Sequence, residues 1–143
     1  MRGTGENRRP GAAVLLLALV FTGGAGAQLV DCLGGQKPSQ VAELMFGRKI
    51  GDRIAVSEVA WGRFVDREIT PRFPAGLTVF NAAGQWQDKS KNRIVHEPSK
   101  IVQIVLPGDA EDITRLNEIA EAYKSRFKQQ SVAVMVRAAC VSF

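Results

Sequence analysis

One histidine and two cysteines are too few for the usual zinc centre, which draws three or four ligands from His, Cys and carboxylates. The chain has no GxxxxGK[ST] phosphate loop, no GxSxG nucleophile elbow and no HExxH pair, so it carries none of the common signatures of nucleotide hydrolysis, esterase chemistry or zinc proteolysis. No internal repeat or low-complexity tract is present, which excludes solenoids and collagen-like or disordered assemblies. What is present is 143 residues at 45% hydrophobic and 23% charged, the composition of one globular domain. Neither a metal nor a cofactor is expected.

Residues 1–27 read as a secretory signal. Arg2, Arg8 and Arg9 give a basic start, residues 12–21 an apolar run, and Ala25-Gly26-Ala27 a small-x-small cleavage site. The run is far short of the roughly 20 residues a membrane helix needs. A buried N-terminal helix fits poorly with Gly23-Gly24-Ala25-Gly26 behind it, and Pro10-Gly11 weakens any twin-arginine reading. A lipoprotein anchor on Cys32 is the competing fate, but Asp31 stands where a lipobox wants Gly, Ala or Ser. The expected destination is therefore the periplasm or the medium, with no stable membrane insertion after cleavage.

Loss of Arg2, Arg8, Arg9 and Glu6 with the signal lowers the net charge from +5 to +3. That balance, without a concentrated patch, argues against nucleic acid as a partner. Lys89, Lys91 and Arg93 read most simply as a solvated loop. Both cysteines survive cleavage, and in an oxidising compartment an even count at the two ends of the chain suggests a Cys32–Cys140 bridge. Two free buried thiols are the alternative.

Residues 28–40 read as an N-terminal segment and 41–143 as a single domain. A first strand opens at Val41 and ends at Gly47. Ser57 is a candidate N-cap for a helix carrying Ala60, Trp61, Phe64, Val65 and Ile69 at helical spacing, stopped by Thr70-Pro71. Residues 77–80 form a second strand, Asn81-Ala82-Ala83-Gly84 a turn, and residues 86–95 a polar hairpin or loop excursion. A third strand covers 101–106. Asp109 is expected to cap a second helix whose stripe is Ile113, Leu116, Ala120, Tyr123 and Phe127, and 131–137 supply the last strand. The succession βαββαβ predicts an α+β, ferredoxin-like two-layer sandwich with antiparallel sheet order 4-1-3-2 and both helices on one face.

The residues also resemble a known family. Glu43-Leu44-Met45-Phe46-Gly47-Arg48, Val56-Ser57-Glu58, Trp61-x-x-Phe64 and Ile69-Thr70-Pro71-Arg72-Phe73-Pro74-x-Gly76-Leu77-Thr78-Val79 are similar to bacterial exported proteins catalogued as domain of unknown function DUF3574. Gly84-Gln85-Trp86, Glu97-x-Ser99-Lys100, Ala122-Tyr123-Lys124, Phe127-x-Gln129-Gln130-Ser131-Val132 and Phe143 continue the likeness over 41–143. The resemblance implies export and a compact α+β domain, and it supplies no catalytic residues.

Five residues, Glu43, Arg48, Arg72, Trp86 and Gln103, are candidate binding groups. Glu43, on an apolar strand, is either a general base with raised pKa or a ligand clamp, or else a partner of Arg137 or another cation at the sheet surface. Arg72, stiffened between two prolines, suits capture of a carboxylate or phosphate, or a fixed salt bridge to Glu68 or Glu43, and Arg48 stands ready to join it. Trp86, in a polar stretch, is a candidate contact surface, whereas Trp61 reads as core. A triad built on His96 and Ser99 lacks both elbow and oxyanion hole.

The strands are apolar on both faces, although one face of a two-layer sandwich meets water. Leu44-Met45-Phe46, Ile104-Val105-Leu106 and Val132-Ala133-Val134-Met135-Val136 predict a covered second face. A homodimer packed sheet to sheet is the expected cover, with any pocket near Glu43 and Gln103. Met135→Glu should dissociate such a dimer in sedimentation at micromolar concentration, and a wild type that sediments as a monomer would leave no dimer to break. The expected function is an exported module that binds a small ligand or an envelope protein. The alternative is a cofactor-independent small-molecule enzyme that uses the open sheet face, with Glu43, Arg48 and Arg72 as its polar groups.

Overall fold

The computed structural model describes residues 31–143. The signal reading lies outside these residues. The first strand, β1, runs Lys37–Gly47, so the sheet begins inside the segment expected to precede the domain. A short hairpin follows, β2 (Lys49–Ile50) and β3 (Arg53–Ile54), then α1 (Glu58–Phe64), which passes into a π-turn over Val65–Ile69. Next come β4 (Thr78–Asp88), β5 (Arg93–Val105), α2 (Asp112–Phe127) and β6 (Ala133–Val141). The long strands form one antiparallel sheet in the order β4-β5-β1-β6. The expectation of four strands numbered 4-1-3-2 had no place for the β2–β3 hairpin.

Strand register separates the two faces. Ala42, Leu44 and Phe46 of β1 stand beside Ile104, Val102 and Lys100 of β5, and this face meets the helices. The opposite face carries Val41, Glu43, Met45 and Gly47 beside Val105, Gln103, Ile101 and Ser99. Among the described residues no helix covers that second face, and Phe80 and Met135 are 45% and 44% exposed on it.

Four aromatic rings fill the gap between sheet and helices. Phe46 lies 4.7 Å from Tyr123, 5.1 Å from Trp61 and 6.1 Å from Phe64, in tilted or edge-on geometries that suit ring quadrupoles. Tyr123 keeps its hydroxyl satisfied by donating to the Gly47 carbonyl at 2.8 Å, and burial pushes its phenol pKa well up.

Helix boundaries follow local chemistry. The Ser57 hydroxyl accepts from the Ala60 N–H at 3.2 Å, the expected N-cap. At α2 the expected cap, Asp109, is displaced: the buried Asp112 carboxylate instead accepts from the N–H groups of Gly108 and Asp109. Along α2 the buried positions are Leu116, Ile119, Ala120 and Tyr123, while Ile113, expected on the core stripe, is exposed.

One expectation fails between the helices and another resolves. Residues 81–84 form no turn, and 86–95 are the polar hairpin rather than a loop excursion: both stretches belong to the long β4–β5 hairpin, whose register runs unbroken from Thr78↔Gln103 to Asp88↔Arg93. The reversal comes instead at 89–92, where Asn92 takes φ 46° and Asp88 Oδ1 accepts from the Ser90 N–H and hydroxyl and the Lys91 N–H. Cys32 and Cys140 form the expected disulfide, with Cα atoms 5.5 Å apart across a sequence separation of 108.

Candidate binding cleft

The residues singled out from sequence occupy four places. On the open sheet face Glu43 Oε1 accepts from Arg137 at 2.8 Å and from Gln103 Nε2 at 3.0 Å. The Arg137 hydrogen bond, then the Gln103 one, holds the Glu43 carboxyl below its usual range. Of the readings offered by the sequence, the structure shows the pairing with Arg137, and the shift runs opposite to the raised pKa expected of a base there.

Arg48 lies on the helix side, buried. Its guanidinium donates to the Val56 carbonyl at 2.8 and 2.7 Å and pairs with Glu58 Oε1. Lys100, also buried, donates to Glu58 Oε2 at 2.8 Å and to Asn81 Oδ1. The Lys100 hydrogen bond is the main cause of the lowered Glu58 pKa. Both cations thus fasten the first turn of α1 to the sheet.

Arg72 ties the end of the first helical layer to α2. It donates to the Glu68 carbonyl at 2.8 Å and to carboxylate oxygens of Glu68 and Glu118, each at 3.1 Å. Glu43, Arg48 and Arg72 therefore do not converge. The pocket expected from them on the open sheet face does not form, because Arg48 and Arg72 serve the helical side.

A cleft of about 880 Å³ lies toward the Gly47 end of that face, between the β4–β5 hairpin on one side and residues 49–51 and 128–131 on the other, and a shallower hollow of about 580 Å³ lies beside Arg72 on the helical side. The floor of the cleft is built by register. β1 ends at Gly47, Gly47 stands beside Ser99, and Gly84 beside Glu97. Glu97 Oε1 accepts from Trp86 Nε1 at 3.0 Å, and Oε2 accepts from the Lys49 backbone N–H at 3.1 Å. Both donors are neutral, and no cation of the described residues lies within ion-pair distance of Glu97.

Two glycines make room on the floor, Gly47 for the Glu97 carboxylate and Gly84 for the Ser99 hydroxyl. A Cβ on Gly47 would stand 2.7 Å from both Glu97 oxygens, and one on Gly84 would stand 2.8 Å from Ser99 Oγ. Around the rim the cationic groups divide into committed and uncommitted. Lys49 Nζ donates to the His96 carbonyl at 2.8 Å, and Arg93 pairs with Asp52 at 2.6 Å. Lys89, Lys91 and Lys128 make no ion pair among the described residues.

Of the residues singled out for binding, Trp86 alone lines this cleft. Glu97, Ser99, Gly47 and Gly84 were not among them. A signal for them was present: Gly84-Gln85-Trp86, Glu97-x-Ser99 and Gln129-Gln130-Ser131 each contribute to the family resemblance, and all three segments line the cleft. Among the described residues no group of three or more His, Cys, Asp or Glu is placed to hold a metal ion, and no helix is long and apolar enough to cross a membrane.

Fold and cleft together define a small α+β domain with a bare sheet face and a polar-floored cavity at its end. Over residues 41–143 the chain belongs to the family described as protein of unknown function (DUF3574). No curated protein matches it. Among solved structures it is similar to a phage SAM lyase in complex with S-methyl-5'-thioadenosine, at 18% identity and TM-score 0.58 over 80% of this chain and 95% of that one. The same description, a phage SAM lyase, applies to an apo structure at 21% identity and TM-score 0.56, over 80% and 96% of the two chains. CutA from Synechococcus elongatus PCC7942 is similar at 8% identity and TM-score 0.48, over 73% and 80%. At such identities the shared property is the fold.

Proposed function

We propose that this protein is an exported module that binds a small ligand in the cleft over Glu97, without a resident cofactor. The observation that carries the reading is the Glu97 carboxylate itself. It is held in place by Trp86 Nε1–H and the Lys49 N–H, is seated where Gly47 lacks a side chain, and has lone pairs to spare on the floor of a ligand-sized cavity. The bridge supports export, since such bonds persist in oxidising compartments. Counting the four long strands alone, the sheet reads 4-1-3-2 from its β6 edge, which supports the ferredoxin-like reading of the fold. A second copy on the bare face is our reading of its cover, and Met135→Glu is the substitution that would dissociate it.

Gly47→Ala tests the site. The new Cβ displaces the Glu97 carboxylate from its seat beside Trp86 and the Lys49 N–H, and because that carboxylate ends a flexible side chain the stability cost should stay within about 1 kcal/mol. Mass spectrometry of small molecules that co-purify from the native envelope should then find a compound on the wild type and not on the folded variant. Equal retention by both proteins would remove the cleft from the function.

The second reading is a cofactor-independent enzyme of the same cleft. It is favoured by the likeness in fold to a SAM lyase solved with a small-molecule ligand. In that case Glu97 is the group positioned to stabilise or move positive charge. Formation of S-methyl-5'-thioadenosine from SAM by the wild type and not by Glu97→Gln would select it, and absence of turnover leaves the binding module as the better account.

A further inference from the structure

We infer that the cleft takes an amphoteric small molecule: a cationic group seated on Glu97, an apolar body against Trp86 and Met45, and an anionic group met by Lys89, Lys91 and Lys128. This deepens the proposed binding function and rests on it.

The charge pattern of the cavity carries the inference. On the floor, Glu97 is an anion whose two hydrogen-bond partners are neutral, so its charge is uncompensated by the protein. Its two oxygens each carry one bond and keep further lone pairs, which can receive the N–H groups of a guanidinium or ammonium, and the carboxylate rests against Gly47, where a side chain would displace it. At the rim the signs reverse. The other acidic side chain lining the cleft, Asp88, is occupied by three donors of its own turn. Lys49 and Arg93 are engaged elsewhere, and three lysines remain with ammonium groups unpaired. A ligand that is cationic at depth and anionic outward satisfies both halves, whereas a simple anion meets Glu97 and a simple cation meets the lysines.

Lys128 adds an independent mark. It caps α2 with φ 54°, in the left-handed region where glycine is the usual residue and a lysine is strained. A side chain kept there against backbone preference lines the cleft. Lys128→Gly should hold or raise thermal stability while weakening ligand binding, a split that a merely structural lysine would not produce.

The test uses three probes on one scaffold: benzoyl-arginine (both charges), benzoyl-argininamide (cation alone) and benzoyl-glycine (anion alone). The protein has two tryptophans, of which Trp61 is buried, so a ligand-dependent change in fluorescence reports Trp86. Wild type should bind benzoyl-arginine roughly tenfold more tightly than either single-charge probe, the scale of one charge-assisted contact. Glu97→Gln should erase the advantage over benzoyl-glycine. Lys89→Gln/Lys91→Gln/Lys128→Gly should erase the advantage over the amide, and salt at about 0.5 M should shrink that second advantage in wild type. Equal affinity for all three probes, preferences that survive the substitutions, or no binding of benzoyl-arginine up to about 10 mM would each overturn the inference. If a co-purified neutral compound is still lost in Gly47→Ala while the probes are ignored, the cleft stands as the binding site and only the charge assignment falls.

Discussion

Breaking the Cys32–Cys140 bridge is expected to lower the unfolding free energy by about 4–5 kcal/mol, the chain-entropy value for a closed loop of this length. A domain of this size has a total stability of roughly 5–15 kcal/mol, so the reduced protein should sit near the edge of folding. The loss should approach the full entropic value because the fold already brings the ends together. Lys37 of β1 pairs with Val141 of β6 and Pro38 with Cys140, leaving Cys32 a short reach to its partner across a 5.5 Å Cα separation. Urea unfolding of the oxidised protein, of the protein in reductant and of Cys32→Ser/Cys140→Ser measures it. A difference below about 1 kcal/mol would mean that the unfolded chain is already compact enough to keep its ends close.

Phe46→Ala should cost about 3–5 kcal/mol, well above the loss of an exposed side chain. Phe46 has no exposed surface and stands where sheet and both helices meet, in contact with Trp61, Phe64 and Tyr123. Truncation leaves a void bounded by rings that are fixed from both helices, so collapse into it is restricted. Trp86→Ala is the contrast. Its ring is 43% exposed at the end of the open face, and its loss should move stability far less while removing the donor that holds Glu97. Paired thermal or urea unfolding separates them, and a Phe46→Ala cost under about 1.5 kcal/mol would show that the aromatic cluster relaxes freely.

Legibility in the sequence followed burial. Ser57 at the start of α1, Leu116, Ala120 and Tyr123 along α2, the end-to-end bridge, and the pairings Glu43–Arg137 and Arg72–Glu68 are all local or follow simple charge and parity. The β4–β5 hairpin escaped because it extends past the helical layer. There both faces are wet, alternation fades, and Asn81 to Gly84 read as a turn that cut the polar hairpin at 86–95 off from the strands it extends, although the hydrogen-bond ladder continues. The β2–β3 hairpin, two residues per strand, left no periodicity to read. Glu97 stood in the family resemblance but could not be singled out as a site residue, for another reason. Its significance comes from register, which sets Gly84 opposite it and brings the end of β1 at Gly47 beside it, and no spacing along the chain encodes that meeting. Ile113 marks the converse error, an apolar residue at the right spacing whose position near the helix start leaves it in solvent.

The bridge also decides what a protease would leave behind. The tip of the β4–β5 hairpin, residues 89–92, is exposed and carries Lys89 and Lys91, so it is an open target for a trypsin-like cut. Each resulting piece holds one cysteine of the pair, and the central strand of the first piece is zipped on both edges to strands of the second. A clipped molecule would therefore migrate as one band until reductant is added and then fall into two. In an environment rich in extracellular proteases, the cleft wall can be severed while the domain stays in one covalent body.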